Sequence, residues 1–599
     1  MASPLLRILL AAVALVAACA APAAAQAPVG AAPDPAAIAD QMAARWVALQ
    51  RPSGSFPDSI RQQRGWGRYG EAGLGYGLML SGLRAGRPDW IQAGARAQRF
   101  AIAQALDRSS VFESMLIASG YNLLRLRAPQ TPLFVTDRGA WEGYLRDIRP
   151  LFDASIKQPY LSSNKYLVEA VLGLELHNTG LASETRGATL NVPGEARRRA
   201  LHIIDELVPE RVGMLRGRAD GHRTTALSDR YAQPPAYHAL AAGFLARAID
   251  LAGGAANRRA RKALRIAVRT MWAYQSPDGD VAYMGRSQGQ AWALAFALLA
   301  SARAAGRGCD DQTQDFLAVG DRAVRRLGAL HPVGPNGMAI VPSANGPATI
   351  PALDDYAGDV VYNGLTLTAL EWAIKDARRR PGCLPDAIMA ERARADAVLR
   401  FETGTFAVLR RGRVWMAVKR ASQGDDPRTG FGLRALKYLG DDGRWVDLMP
   451  AAPRFAGAPT TLGPALIPRS GRLAVPKGAH LKTTNGRITI DGGWVTPKGK
   501  WVRRGIFKWI PTRRGVRMVV PAKRRDTILT SSLFTGRPAA AGRIAATRRT
   551  TVRVGGTPTV GVQGPLASTT SLDAWRADFT IRPRGKKLTI RVEAPPPPA

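Results

Sequence analysis

The sequence predicts a multidomain chain, helical first and β afterwards, and three observations carry that reading. From about Ala36 to Arg400 apolar residues recur at helical spacing, broken at intervals by Gly or Pro. After Phe401 they fall instead into short β-branched or aromatic runs separated by Gly, Pro and Asp. The stretch joining the halves, 397–404, is short, so the two are expected to dock.

In the first half, helices are expected at 36–50, 70–85, 90–106, 110–126, 140–156, 164–178, 194–207, 236–251, 258–274, 287–304, 311–327, 359–378 and 385–399. Short loops between so many segments suit antiparallel hairpins. In the second half, strands are expected at 405–409, 414–418, 487–490, 516–520, 579–581 and 588–592, the pattern of an antiparallel β-sandwich spanning 401–594. Pro595 to Pro598 read as a tail.

Met1 to Arg7, the apolar run Ile8 to Val16 and Ala23-Ala24-Ala25 read as an export signal over residues 1–25, which leaves 33–400 as the helical domain. Val16-Ala17-Ala18-Cys19 also suits a lipobox, so Cys19 could carry a lipid anchor; either way the protein is expected to be secreted or associated with the cell envelope. Beyond the signal remain Cys309 and Cys383, in polar breaks between helices. Their loops are two helices apart, hence at one end of an up-and-down array, and a disulfide is expected. Neither has a CxxC partner, which argues against zinc or redox use.

Lys and Arg number 84 against 46 Asp and Glu, a net charge of +38. Such a surplus points to a polyanionic partner, an acidic polysaccharide or an anionic envelope, although an arginine-rich composition raises every surface alike. No nucleic-acid motif accompanies the charge, and no specific nucleic acid is expected.

Chemistry concentrates between Asp220 and Leu245. Asp220-Gly221 is a turn signal, and Pro234-Pro235 suits a helix start, which sets Tyr237 and His238 in the first turn of a helix. A helix N-terminus carries partial positive charge and unpaired N–H groups that attract anions. His222, Arg223 and Tyr231 lie just before it. Asn164, with Lys165 after it, opens another helix as an amide donor or as a simple N-cap. Tyr283 and Arg286 stand on a loop that leads into a third. An alternating bundle brings such helix starts to one rim.

Ser163-Asn164-Lys165 at a helix start, and Asp220-Gly221 followed by Pro235-Ala236-Tyr237-His238-Ala239-Leu240, resemble signatures of the heparinase II/III-like polysaccharide lyases. The resemblance implies an α/α toroid followed by a β-sandwich, and β-elimination on a uronate polysaccharide. Asn164 would then neutralise the substrate carboxylate, and Tyr237 or Tyr231 would protonate the leaving oxygen. Apart from the resemblance, Lys165, His222, Arg223, Tyr283 and Arg286 are expected to bind substrate, the arginines by pairing with carboxylate or sulfate groups. Two departures stand out. Lys165 occupies the place of the family's usual histidine, so that the base falls to His238, His222 or a tyrosine. His480 is the only histidine after Phe401, and the family's metal cluster is missing, so no metal and no cofactor are expected.

Two other readings compete. Gly285 to Trp292 is similar to a stretch of toroidal hydrolases of unsaturated uronides, and hydrolysis would use carboxylates such as Asp280 and Asp355. A non-catalytic polyanion binder would use Lys498, Lys500, Trp501, Arg503, Arg504, Lys508 and Trp509, residues that equally suit alternate core and edge positions of strands.

Overall fold

Helices in two concentric layers make up the first half of the computed structural model. It describes residues 32–60, 69–104, 110–148, 163–181, 193–211, 216–219, 222–225, 235–285, 287–305, 311–343, 358–377, 399–402, 405–420, 431–451, 463–484, 486–566 and 568–595. The outer layer comprises α1 (Pro35–Leu49), α3 (Pro88–Gln104), α5 (Pro132–Asp147), α7 (Pro193–His202, continuing through a π-turn to Arg211), α9 (Arg258–Tyr274) and α11 (Asp311–Leu330). The inner layer comprises α2 (Gly70–Ala85), α4 (Val111–Arg127), α6 (Ser163–Thr179), α8 (Pro235–Ala252), α10 (Ala291–Ala304) and α12 (Asp359–Ala377). Each inner helix packs on the next and α12 returns to α2, closing an α/α toroid.

Inner and outer helices differ as their positions require. α8 and α10 are apolar nearly all round and buried, whereas α9 exposes an arginine- and lysine-rich face and buries the other. α2 is rich in glycine, which costs about 1 kcal/mol per residue in a helix, but here glycine permits close approach. A Cβ on Gly70 would lie 2.9 Å from Val360, one on Gly77 3.0 Å from Leu367, and one on Gly364 2.7 Å from the Leu74 nitrogen. The matched advance along α2 and α12 shows that these neighbours run parallel.

The C-terminal ends of the inner helices are tied by buried ion pairs. Glu175 of α6 accepts from Ser119 and Asn122 of α4 and from Arg247 of α8. Asp250 accepts from Arg303 of α10, which also reaches Asp376 of α12; Arg84 of α2 joins Glu371 of α12 to Asp40 of α1. The inner helices therefore share one electrostatic belt.

The strands form three larger sheets. They hold seven, four and eight strands, beside a short hairpin of β3 (Val333–Gly334) and β4 (Gly337–Met338). The first contains β1 (Arg216–Ala219), β2 (His222–Thr225), β5 (Leu399–Glu402), β6 (Phe406–Arg411), β7 (Val414–Lys419), β8 (Gly432–Leu439) and β9 (Trp445–Asp447). β6 and β7 are buried on both faces: Leu409, Met416 and Val418 join the core of the β half, while Phe406 and Trp415 meet Tyr274 and Tyr283 of the helical half. The eight-stranded sheet supplies Trp494, Phe507 and Trp509 to the same core.

The sandwich gains a hairpin from the helical half. Arg218 and Ala219 of β1 pair with Glu402 and Phe401, so the segment before α8 is built into the first sheet. Two expected helices begin elsewhere. Of the one expected at 140–156, the described part belongs to a helix that begins at Pro132, because Thr131-Pro132 starts it with proline at the first turn, and 149–156 fall outside the described residues. The one expected from 287 begins at Ala291, since Ser287 and Gly289 hold positive φ values of 61° and 64°. Of the segment expected at 385–399, Leu399 lies in β5 and the rest falls outside the described residues.

Candidate active site

The N-termini of the six parallel inner helices meet at the rim opposite the ion-pair belt. Aromatic rings descend from that rim through the middle of the toroid. Tyr69 stacks on Phe112 at 5.2 Å, Phe112 meets Phe244 edge-on at 5.7 Å, and Phe244 meets Phe296 at 4.9 Å and Trp372 at 6.3 Å. Phe244 and Phe296 are fully buried, while Tyr69 and Phe112 are half-buried. The centre is thus filled below, and the rim presents an aromatic floor.

Three carboxyl groups stand at this rim where α12 meets α2. Asp58 accepts from the amides of Ile60 and Val360 at 3.1 and 3.3 Å, and Asp359 accepts from the Ser59 amide at 3.1 Å and from the Ser59 hydroxyl. Burial lifts Glu71, in the first turn of α2, to about 7, with Asp58 adding to the rise. Burial likewise lifts Asp359 to about 6, against the bonds from Ser59. Both groups therefore keep their protons to higher pH than an exposed carboxyl does, Glu71 up to about neutrality. No spacing motif marks them in the sequence, because Asp58, Glu71 and Asp359 are brought together only by closure of the ring.

The residues expected from the sequence divide by position. Asn164 lies in the first turn of α6 and Tyr237 and His238 in that of α8, and these two inner helices pack on one another. The Asn164 side chain falls outside the described residues; Lys165 beside it is exposed. Tyr237 is 9% exposed, its hydroxyl 3.5 Å from that of Ser287 and its ring edge-on to Trp292. His238 is buried, and its Nε2–H donates to the Ala267 carbonyl at 2.8 Å, which leaves Nδ1 with the lone pair. Burial lowers its pKa to about 4, so the ring is neutral at pH 7. His222 and Arg223 are on β2, in register with Ala219 and Arg218. Tyr231, Arg286, Cys309 and Cys383 lie outside the described residues.

Tyr283 belongs to the joint between the two halves. Its hydroxyl donates to the Tyr274 carbonyl at 3.0 Å, the Tyr274 hydroxyl donates to the Pro235 carbonyl at 3.0 Å, and its ring stands on Trp415 at 5.0 Å. Burial raises both phenols well above their ordinary pKa. Asp280 is buried in an ion pair with Arg326 at 2.9 Å, and Asp355 lies outside the described residues.

No family model matches the chain, and no curated protein matches it. Among solved structures it is similar to the GH76A α-1,6-mannanase of Salegentibacter sp. HEL1_6, at 10% identity over 57% of this chain and 100% of that one, with a TM-score of 0.37. It is also similar to endoglucanase CelQ of Clostridium thermocellum, solved with cellotriose, at 11% identity over 94% and 92%, with a TM-score of 0.31. Among the described residues no helix is long and apolar enough to cross a membrane, and no three His, Cys, Asp or Glu residues are grouped to hold a metal ion.

Proposed function

We propose that the protein cleaves a uronate-bearing polysaccharide by β-elimination at the rim of its toroid. The observation that carries the reading is the adjacency of the first turns of α6 and α8, which hold Asn164 and Tyr237 on packed, parallel helices. In this reading the Asn164 amide and the helix N-terminus neutralise the substrate carboxylate and acidify the proton at C5. A base removes that proton, the C4–O4 bond breaks as the C4=C5 double bond forms, and the Tyr237 hydroxyl returns a proton to O4. Tyr69 and Phe112 offer ring faces to the sugar.

Hydrolysis is the second reading, and Glu71 favours it. A carboxyl with a pKa near 7 and a second acidic side chain, Asp58, beside it is the pattern from which a general acid is built. Alginate, glucuronan, hyaluronan and heparan, followed by ultraviolet absorbance and by reducing-end release, separate the two. A rise in absorbance that Asn164→Ala and Tyr237→Phe abolish supports elimination. Reducing ends without absorbance, lost in Glu71→Gln, would replace it with hydrolysis.

A further inference from the structure

The outer face of the eight-stranded sheet carries cations in a register that folding alone does not favour. On β14 (Gly515–Pro521), β21 (Lys587–Glu593) and β18 (Thr551–Val554), Val516, Met518, Val520, Ile590, Val592, Val552 and Val554 point into the core. Alternation then forces Arg517, Arg591 and Arg553 outward. The register sets Arg517 directly opposite Arg591, and Arg591 directly opposite Arg553.

Farther across the same face, Lys482 of β11 (Val475–Thr484) pairs with Thr489 of β12 (Arg487–Val495), and Thr489 pairs with Lys508 of β13 (Trp501–Pro511). Arg487 ends the β11–β12 ladder on that side. All six cations are exposed or half-buried.

Like charges directly opposite in a sheet destabilise it, so a row of three arginines opposes folding. Several buried cations elsewhere in the chain are neutralised by carboxylates. Arg84, Arg247, Arg303 and Arg326 all have carboxylate partners, and Arg503 on β13 itself pairs with Asp526. Among the described residues no ion pair engages the six cations of this face. Its acids are Asp491, opposite His480 and Ile506, and Glu593, which accepts from Thr512 at 2.9 Å. Asp491 stands off the row, and Glu593, two residues along β21 from Arg591, flanks one end of it.

We propose that this face is an accessory binding surface for an extended anionic polysaccharide, lying across the strands with its acidic groups on the row Arg517–Arg591–Arg553. Strands repeat about every 4.8 Å, close to the advance of one sugar unit, so successive guanidinium forks meet successive carboxylate or sulfate groups. Near the other edge, Trp501 is 38% exposed beneath Lys477 and Arg504, an aromatic surface beside cations of the kind that receives sugar rings. The choice of polysaccharide over nucleic acid rests on the proposed function; the cationic face itself does not.

The test uses the full chain with heparin, polygalacturonate, single-stranded DNA and phosphatidylserine vesicles as probes. The variant Arg517→Ser/Arg591→Ser/Arg553→Ser removes the row, and Arg197→Ser/Arg258→Ser/Lys262→Ser removes the same charge from exposed helical positions. The row variant is expected to weaken binding to heparin or polygalacturonate about 10–100-fold, to flatten its salt dependence, and to leave thermal stability equal or higher. Cleavage of short oligosaccharides should be unchanged. Equal losses in both variants would reduce the effect to overall charge, and row-dependent binding confined to DNA or to vesicles would overturn the polysaccharide assignment. Row-dependent polysaccharide binding without cleavage of any polymer would retain this surface and remove the enzyme.

Discussion

The Lys437 ammonium, on the first β-sheet, donates to the Asp278 carboxylate of the helical half at 2.7 Å, and both side chains are buried. Asp447 and Arg326 complete the cluster. Burial opposes the Asp278 charge, but Arg326 and Lys437 outweigh it and hold that carboxyl far below its usual range. Lys437→Met is expected to destabilise the protein by about 3–5 kcal/mol, because buried Asp278 loses one of its two cations in a dry joint. Urea denaturation checks this. Since the Asp278 pKa is depressed, its contribution is present above the unfolded carboxyl range and disappears as pH falls below it, so the variant's deficit should shrink in acid.

Gly364 is the closest approach of α12 to α2. A methyl there would lie 2.7 Å from the Leu74 nitrogen and 3.0 Å from the Gly73 carbonyl carbon, both backbone atoms that cannot swing aside. Gly364→Ala should therefore lower stability by about 1–3 kcal/mol despite alanine's better helix propensity. A melting temperature at or above that of the parent would show that the ring can relax.

Glu71 gives the opposite pH dependence from Asp278. Its folded pKa of about 7 lies above the unfolded value, so the native state binds the extra proton and its stability falls as pH rises from about 4.5 to 7. Glu71→Gln removes that cost. The variant should gain about 2–3 kcal/mol relative to the parent at pH 8, and little at pH 4, as read by denaturation at the two pH values.

At the rim, Asn164→Ala and Tyr237→Phe should each lower turnover of a uronate polymer about 100–1,000-fold, the scale of losing one transition-state donor. Melting temperatures should move little for Tyr237→Phe, which loses only a hydroxyl 3.5 Å from Ser287. Full activity in both variants would sink elimination at this site.

Much of the scaffold was legible in the sequence, for local reasons. The periodicity at 70–85 and 258–274 matches α2 and α9 residue for residue, and Pro234-Pro235 marks the start of α8. Such features rest on neighbours a few residues apart, where the repeat of a helix or strand sets which side is buried.

Ring closure, the built-in hairpin before α8 and the grouping of Asp58, Glu71 and Asp359 were decided only by the tertiary structure. Asp58 and Asp359 lie 301 positions apart, joined through Ser59 and Val360. Burial then lifts Glu71 and Asp359, an effect no local pattern carries. The sequence by itself determined which faces turn inward; the packed fold determined which of them meet, and so which charges are dry, paired or left facing solvent.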